Sequence, residues 1–152
     1  MRCISLWQPH ALLWILSDPE EKIYETRHWY TSHRGPLLVH AAKKQDGEVR
    51  EYLNCSGFKE ALKRHNLTMA DVHFGAIIGE VNIIGCCRMD RMPEPSERER
   101  SWGNWEPHRY AWERAPNPTI FPNPMPYRGQ QGFFDVEGFD PIPMAHYDRE
   151  EE

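Results

Sequence analysis

Lys22-Ile-Tyr-Glu-Thr-Arg-His-Trp-Tyr-Thr-Ser-His-Arg-Gly-Pro-Leu-Leu-Val-His-Ala-Ala-Lys-Lys44 is the stretch on which the reading of this chain turns. Side chains alternate with period two from residue 22 to 28, and the apolar run 37–41 follows the turn residues Gly35-Pro36, so two short β-strands joined by a loop are expected. In the first strand Ile23, Glu25 and Arg27 share one face, and Tyr24, Thr26 and His28 the other. A carboxylate and a guanidinium beside an isoleucine are poor core material. Either this face points inward, and Glu25 and Arg27 pair or hold a ligand, or the strand is an edge with both charges in water. The window is also basic. Positions 26–45 contain no Asp or Glu but hold Arg27, Arg34, Lys43 and Lys44, with His28, His33 and His40 among them. In a chain of net charge -5, this is where an anionic ligand would be drawn.

Upstream, residues 2–7 alternate as a half-buried strand, and residues 8–16 read as a helix because Pro9 suits a first helical turn and the apolar run after it asks for burial. Ser17-Asp-Pro19 stops that helix, since the residue before a proline is pushed out of the helical region. Downstream, residues 46–65 carry an apolar stripe broken at Asn54-Cys-Ser-Gly57, which predicts two helices with a turn between them. Residues 75–87 form the strongest strand, β-branched and bent by Gly75, Gly79 and Gly85. Ser96-Glu-Arg-Glu99 has the form of a capping box ahead of a short helix, and residues 109–114 alternate again. Five prolines in 116–126 suggest an extended, irregular connection, and Tyr127-Arg-Gly-Gln-Gln-Gly132 a tight loop before a last strand at 133–136.

A length of 152 residues fits one domain over 1–147, with 148–152 an acidic, frayed tail. The 13 prolines and 12% aromatic content argue against a helical bundle. No apolar run approaches the ~18–20 residues of a membrane span, so a cytoplasmic protein without a membrane partner is expected. Cys3, Cys55, Cys86 and Cys87 form no C-x-x-C pair and read as reduced thiols, and the histidines lack the spacing of a helical zinc site, so neither metal nor cofactor is expected. Short, glycine-bent strands with helical insertions predict an α+β domain on a small, strongly curved sheet or barrel.

Ser5-Leu-Trp-Gln-Pro9, Lys22-x-x-Glu25-x-Arg27, Trp29-Tyr-x-x-His-Arg-Gly35 with Val39-His-Ala-Ala42, Gly75-Ala-Ile-Ile-Gly79, and Arg109-Tyr-Ala-Trp112 with Gly129-x-x-Gly132 together resemble the ASCH domain family, over residues 3 to 137. The first half looks similar to the ASCH domain of the activating signal cointegrator, the later elements to bacterial or phage ASCH proteins. The resemblance implies a PUA-like β-barrel with two to four peripheral helices, and a pocket beside the first helix where Lys22, Glu25 and Arg27 converge. It implies RNA, single-stranded nucleic acid or nucleotide as partner; a protein partner is left open, the acidic tail and the proline-rich segment 116–126 being the only hints of an interaction adaptor. Ser5, Trp7, Gln8, Lys22, Glu25, Arg27, Trp29, Arg34, His40, Lys43 and Lys44 are the ligand-binding candidates, and Tyr30 and Trp105 join Trp7 and Trp29 as aromatics on which a base could stack.

Some members are amidohydrolases acting on acetylcytidine through a lysine, a threonine three residues later and a distant glutamate; another is a ribonuclease. Lys22 matches the lysine, but Glu25 stands where the nucleophilic threonine is expected, and Thr26 falls on the opposite strand face. Lys22, Glu25 and Thr26 are therefore the catalytic candidates for a hydrolase alternative, while the substitution favours recognition over hydrolysis.

Overall fold

A computed structural model describes residues 1–138, so the acidic segment 148–152 lies outside the described residues. Seven strands and four α-helices run in the order β1 (Arg2–Leu6), α1 (His10–Ile15), β2 (Tyr24–Arg27), β3 (Gly35–Ala41), α2 (Gly47–Asn54), α3 (Ser56–Arg64), β4 (Ala76–Arg88), α4 (Glu97–Ser101), β5 (Tyr110–Arg114), β6 (Thr119–Pro126) and β7 (Phe133–Asp135). The architecture is mixed α+β. The strands pair in the order β2-β5-β4-β3-β1-β7, with β6 on β4 as well, and among the described residues no pairing joins β2 to β7 to close the sheet. No helix is long and apolar enough to cross a membrane among these residues.

Every strand pair is antiparallel except β1 with β3, which sets Ser5 opposite His40. A parallel pair requires a crossover, and α1 with β2 supplies it. A six-residue helix is too short to persist on its own propensity, so α1 owes its existence to packing. Ala11, Leu12, Leu13, Trp14 and Ile15 are all buried, and each large apolar side chain so removed from water contributes about 1.5–3 kcal/mol. Its ends are tied down by long-range side chains. The Gln8 Oε1 accepts from the Leu12 N–H at 3.0 Å, while the Arg114 guanidinium donates to the carbonyls of Trp14 at 2.5 Å and Leu16 at 3.1 Å and pairs with Glu20.

The sheet separates two apolar clusters. Ile4, Leu6, Leu37, Val39, Val81 and Ile83 face α1, α2 and α3, whereas Cys3, Leu38 and Ile77 turn the other way toward Phe134 and Val136. The four cysteines are free thiols.

One sequence expectation is corrected: residues 119–126 are a strand, not an irregular connection. Pro122 and Pro124 fall between the two segments where β6 is in register with β4, Thr119–Ile120 on Glu80–Gly79 and Met125–Pro126 on Ile77–Ala76. The prolines thus occupy a bulge on an edge, where a missing N–H costs no ladder bond. The expected bends in β4 are present as register shifts beside Gly79 and Gly85. At Gly79 an added Cβ would lie 2.4 Å from the Thr119 carbonyl oxygen and 2.9 Å from Ile15 Cδ1, so the close approach of β6 and α1 requires glycine there.

Candidate functional site

The face shared by Glu25 and Arg27 points inward. Lys22 is 1% exposed and Glu25 7%, and Lys22 Nζ donates to Glu25 Oε1 at 2.7 Å. Arg27 Nε lies 3.4 Å from Glu25 Oε2, and its Nη2 donates to the Ser5 carbonyl at 3.4 Å. Burial pushes the Glu25 carboxyl up, but the attraction of Lys22 and Arg27 outweighs it, so the pKa ends below the usual carboxylate value and the group stays ionised. Beside it, burial and then the Lys22 charge push His10 down to about 4, so this imidazole is neutral; its Nδ1 is buried with no hydrogen-bond partner.

A second polar cluster lies close by. His40 Nδ1 and Ser5 Oγ are 2.8 Å apart, and His40 Nε2 is 2.7 Å from the Tyr127 carbonyl oxygen. That carbonyl belongs to the loop between β6 and β7, so His40 fastens the loop to the β1–β3 pair. Both clusters open into one cleft of about 1180 Å³, above the ~300–1,000 Å³ usual for a small-molecule pocket. The chain from β1 to the turn after β2 lines it with Ser5, Trp7, His10, Glu25, Arg27, His28 and Trp29, the end of β3 with His40, Ala42 and Lys43, and the β6–β7 loop with Tyr127, Arg128, Gly129, Gln130 and Gln131. Three cations, Arg27, Lys43 and Arg128, face one carboxylate, Glu25.

The sequence candidates divide accordingly. Ser5, Trp7, Glu25, Arg27, Trp29, His40 and Lys43 line the cleft, and Lys22 lies behind it against Glu25. Gln8 is committed to structure, its carbonyl oxygen on the Leu12 N–H and its amide nitrogen on the His73 carbonyl. Arg34 donates to the carbonyls of Thr31 and His33. Lys44 sits 3.4 Å from the Trp7 ring centroid and pairs with Asp46 at 3.1 Å, so the first acid beyond the basic window neutralises its last cation. Thr26 turns away from the cleft and accepts from the Asn104 N–H at 3.1 Å. Trp105 donates to the Glu99 carbonyl and Tyr30 packs edge-on against Tyr110; neither lines the cleft.

Trp7 is 43% exposed and offers a ring for stacking, whereas Trp29 is fixed edge-on against Trp112 and Phe133, with centroids at 4.7 and 5.4 Å. Sequence reading placed His28 in the basic window but passed over His10, Arg128, Gln130 and Gln131 as site residues. A signal for the last three was present: positions 114–134 form a second acid-free window, closing on donor side chains set between glycines.

The segment leading into β2 is held from outside the cleft. Ser96 caps α4 by accepting from the Glu99 N–H at 3.2 Å, and the Glu99 side chain reaches inward to accept from the Ile23 N–H at 2.6 Å. Glu21, beneath the same turn, takes Arg64 Nε and Nη2 at 2.9 and 2.8 Å and His65 at 3.0 Å. These anchors fix where Lys22 and Glu25 stand. No protein-family model matches the chain, and no curated protein matches it at a significant level.

Proposed function

We propose that this protein is a nucleic-acid binding module of the PUA-like, ASCH type, a barrel-like cytoplasmic domain over 1–147 that recognises RNA or a single-stranded or modified nucleotide in the cleft beside α1. The observation that carries the reading is the charge of the cleft: Arg27, Lys43 and Arg128 against Glu25 alone, in a chain of net charge -5. Cationic side chains of this kind meet phosphates, Trp7 presents a face for an unpaired base, and the Glu25 carboxylate accepts from base amino or imino groups. The acidic remainder of the chain disfavours tracking along a long duplex and favours a short ligand. Fluorescence anisotropy with short single-stranded RNA over a salt series tests the proposal. Affinity that falls as salt rises is expected; no binding at low salt, or binding indifferent to salt, would sink it.

A second reading, hydrolysis of a nucleoside or RNA, draws on the buried Lys22–Glu25 contact at 2.7 Å as an acid–base pair. Incubation with acetylcytidine and with single-stranded RNA, comparing the natural chain with Lys22→Ala and Glu25→Gln, tests it. Equal product from all three removes both residues from the chemistry.

A further inference from the structure

Ser5 and His40 face each other across the parallel β1–β3 pair, and the hydrogens between them are assigned by chemistry. The carbonyl of Tyr127 can only accept, so His40 Nε2, 2.7 Å away, carries the ring hydrogen. Burial holds the His40 pKa below its ordinary value, which keeps the ring neutral and leaves a lone pair on Nδ1. The Ser5 hydroxyl, 2.8 Å from Nδ1, therefore donates to it. This is the arrangement of a hydroxyl poised to lose its proton to an imidazole whose orientation is fixed from behind.

Two further observations distinguish it from a cross-strand contact in a core. Ser5 and His40 both line the cleft, and Gly129 stands over them with no side chain: a Cβ there would come within 2.7 Å of His40 Cε1, 3.0 Å of His40 Nδ1 and 3.0 Å of Ser5 Oγ. Glycine is what allows the loop backbone to pack this closely on the pair. Arg27 donates to the Ser5 carbonyl at 3.4 Å, which sets a cation beside the same residue, while its Nε faces Glu25 Oε2 at 3.4 Å.

We propose that Ser5 is a nucleophile and His40 its general base, in hydrolysis of an ester or amide whose acyl group reaches Ser5 from the cleft while an anionic part of the molecule lies against the cleft cations. Ser5 Oγ bonds to the carbonyl carbon as its proton passes to His40 Nδ1, and Arg27 supplies positive charge near the developing oxyanion. Collapse of the adduct breaks the bond to the leaving oxygen or nitrogen, which departs with the electron pair and takes the proton from Nδ1. Water then attacks the acyl-serine, gives a proton to Nδ1, and the ester to Ser5 breaks, releasing a carboxylic acid and restoring the hydroxyl. The inference departs from the Lys22–Glu25 mechanism, and it rests on the Ser5–His40 geometry whether or not the natural ligand is a nucleic acid.

The test is treatment of the full chain with a serine-directed sulfonyl or phosphonyl fluoride, intact-mass measurement and peptide mapping, with p-nitrophenyl acetate as a reporter of acyl transfer. A single adduct on Ser5 and a burst of one p-nitrophenolate per chain are expected. Ser5→Ala abolishes both, and His40→Gln slows adduct formation by about a hundredfold or more. Gly129→Ala, with circular dichroism confirming the fold, slows it about tenfold or more, because the added methyl presses on Ser5 Oγ and the His40 ring and disturbs their alignment. No adduct on Ser5 in the natural chain overturns the proposal, as does an Ser5 adduct that forms equally fast in His40→Gln. RNA anisotropy on the same sample separates the two proposals: binding without a Ser5 adduct overturns this one alone, and an adduct without binding overturns only the nucleic-acid reading.

Discussion

Lys22 and Glu25 meet at 2.7 Å with both side chains withdrawn from water, and Arg27 takes the other carboxylate oxygen from the cleft side at 3.4 Å. Removing one partner of such a pair leaves a buried charge without compensation. Glu25→Gln is therefore expected to destabilise the fold by about 3–5 kcal/mol, and Lys22→Met combined with Glu25→Gln by less than Glu25→Gln alone. Urea unfolding of the three proteins checks the order. The pH dependence has a definite sign: Glu25 has a folded pKa below its unfolded one, so its stabilisation is full above the ordinary carboxylate pKa and is lost as pH falls through the depressed value.

His10 gives a second acid-side loss, in a higher window. Its folded pKa of about 4 lies below the ordinary imidazole value of 6.5, so between these the unfolded chain binds the extra proton and stability declines as pH falls from 6.5 to 4. The contribution is on the order of 3 kcal/mol. His10→Gln flattens that limb of a stability–pH curve measured by denaturant unfolding, and a curve as steep as that of the natural chain would count against it.

Arg114 is 1% exposed and divides its guanidinium among the carbonyls of Trp14, Leu16 and Ala115 and the carboxylate of Glu20. Lysine keeps the charge but has one nitrogen and no planar fork, so it leaves carbonyls at the end of α1 unpaired. Arg114→Lys is expected to cost about 2–4 kcal/mol. Faster hydrogen exchange at α1 amides in the variant would check that the loss begins there.

Within the nucleic-acid reading, Lys43→Ala and Arg128→Ala each weaken binding and reduce the slope of log affinity against log salt by roughly 1. Lys44→Ala is expected to leave that slope nearly unchanged, because Asp46 already neutralises this cation. Anisotropy titrations at several salt concentrations distinguish the three.

Why was Glu25 legible in the sequence and Arg114 not? Period-two alternation puts Glu25 beside Ile23, and an inward carboxylate between two cations is one of the two outcomes such a face allows. Arg114 alternates just as plainly, yet three of its four partners, Trp14, Leu16 and Glu20, lie 94 to 100 residues earlier, and nothing local marks them. The same holds for Glu99, whose spacing from Ser96 suggests a local cap but whose carboxylate serves Ile23, 76 residues away. β6 was hidden for a different reason. Proline content signals a missing donor, and only the pairing with β4 reveals that the missing donors sit in a bulge at an edge. The part of the cleft lining at 127–132 was visible as a loop but not as a wall, since a loop's neighbours are set by the strands on either side.

The His40–Tyr127 hydrogen bond spans 87 residues, which gives the cleft a place in time as well as in space. During synthesis at ~5–20 residues per second, His40 emerges roughly 4–17 s before the carbonyl that will orient it. Through that interval β1 and β3 can pair and α1 can dock, but the wall carrying Arg128 does not yet exist. A nascent chain therefore has no closed binding site, and ligand capture by ribosome-bound chains of increasing length would switch on only after residues 127–135 have cleared the exit tunnel.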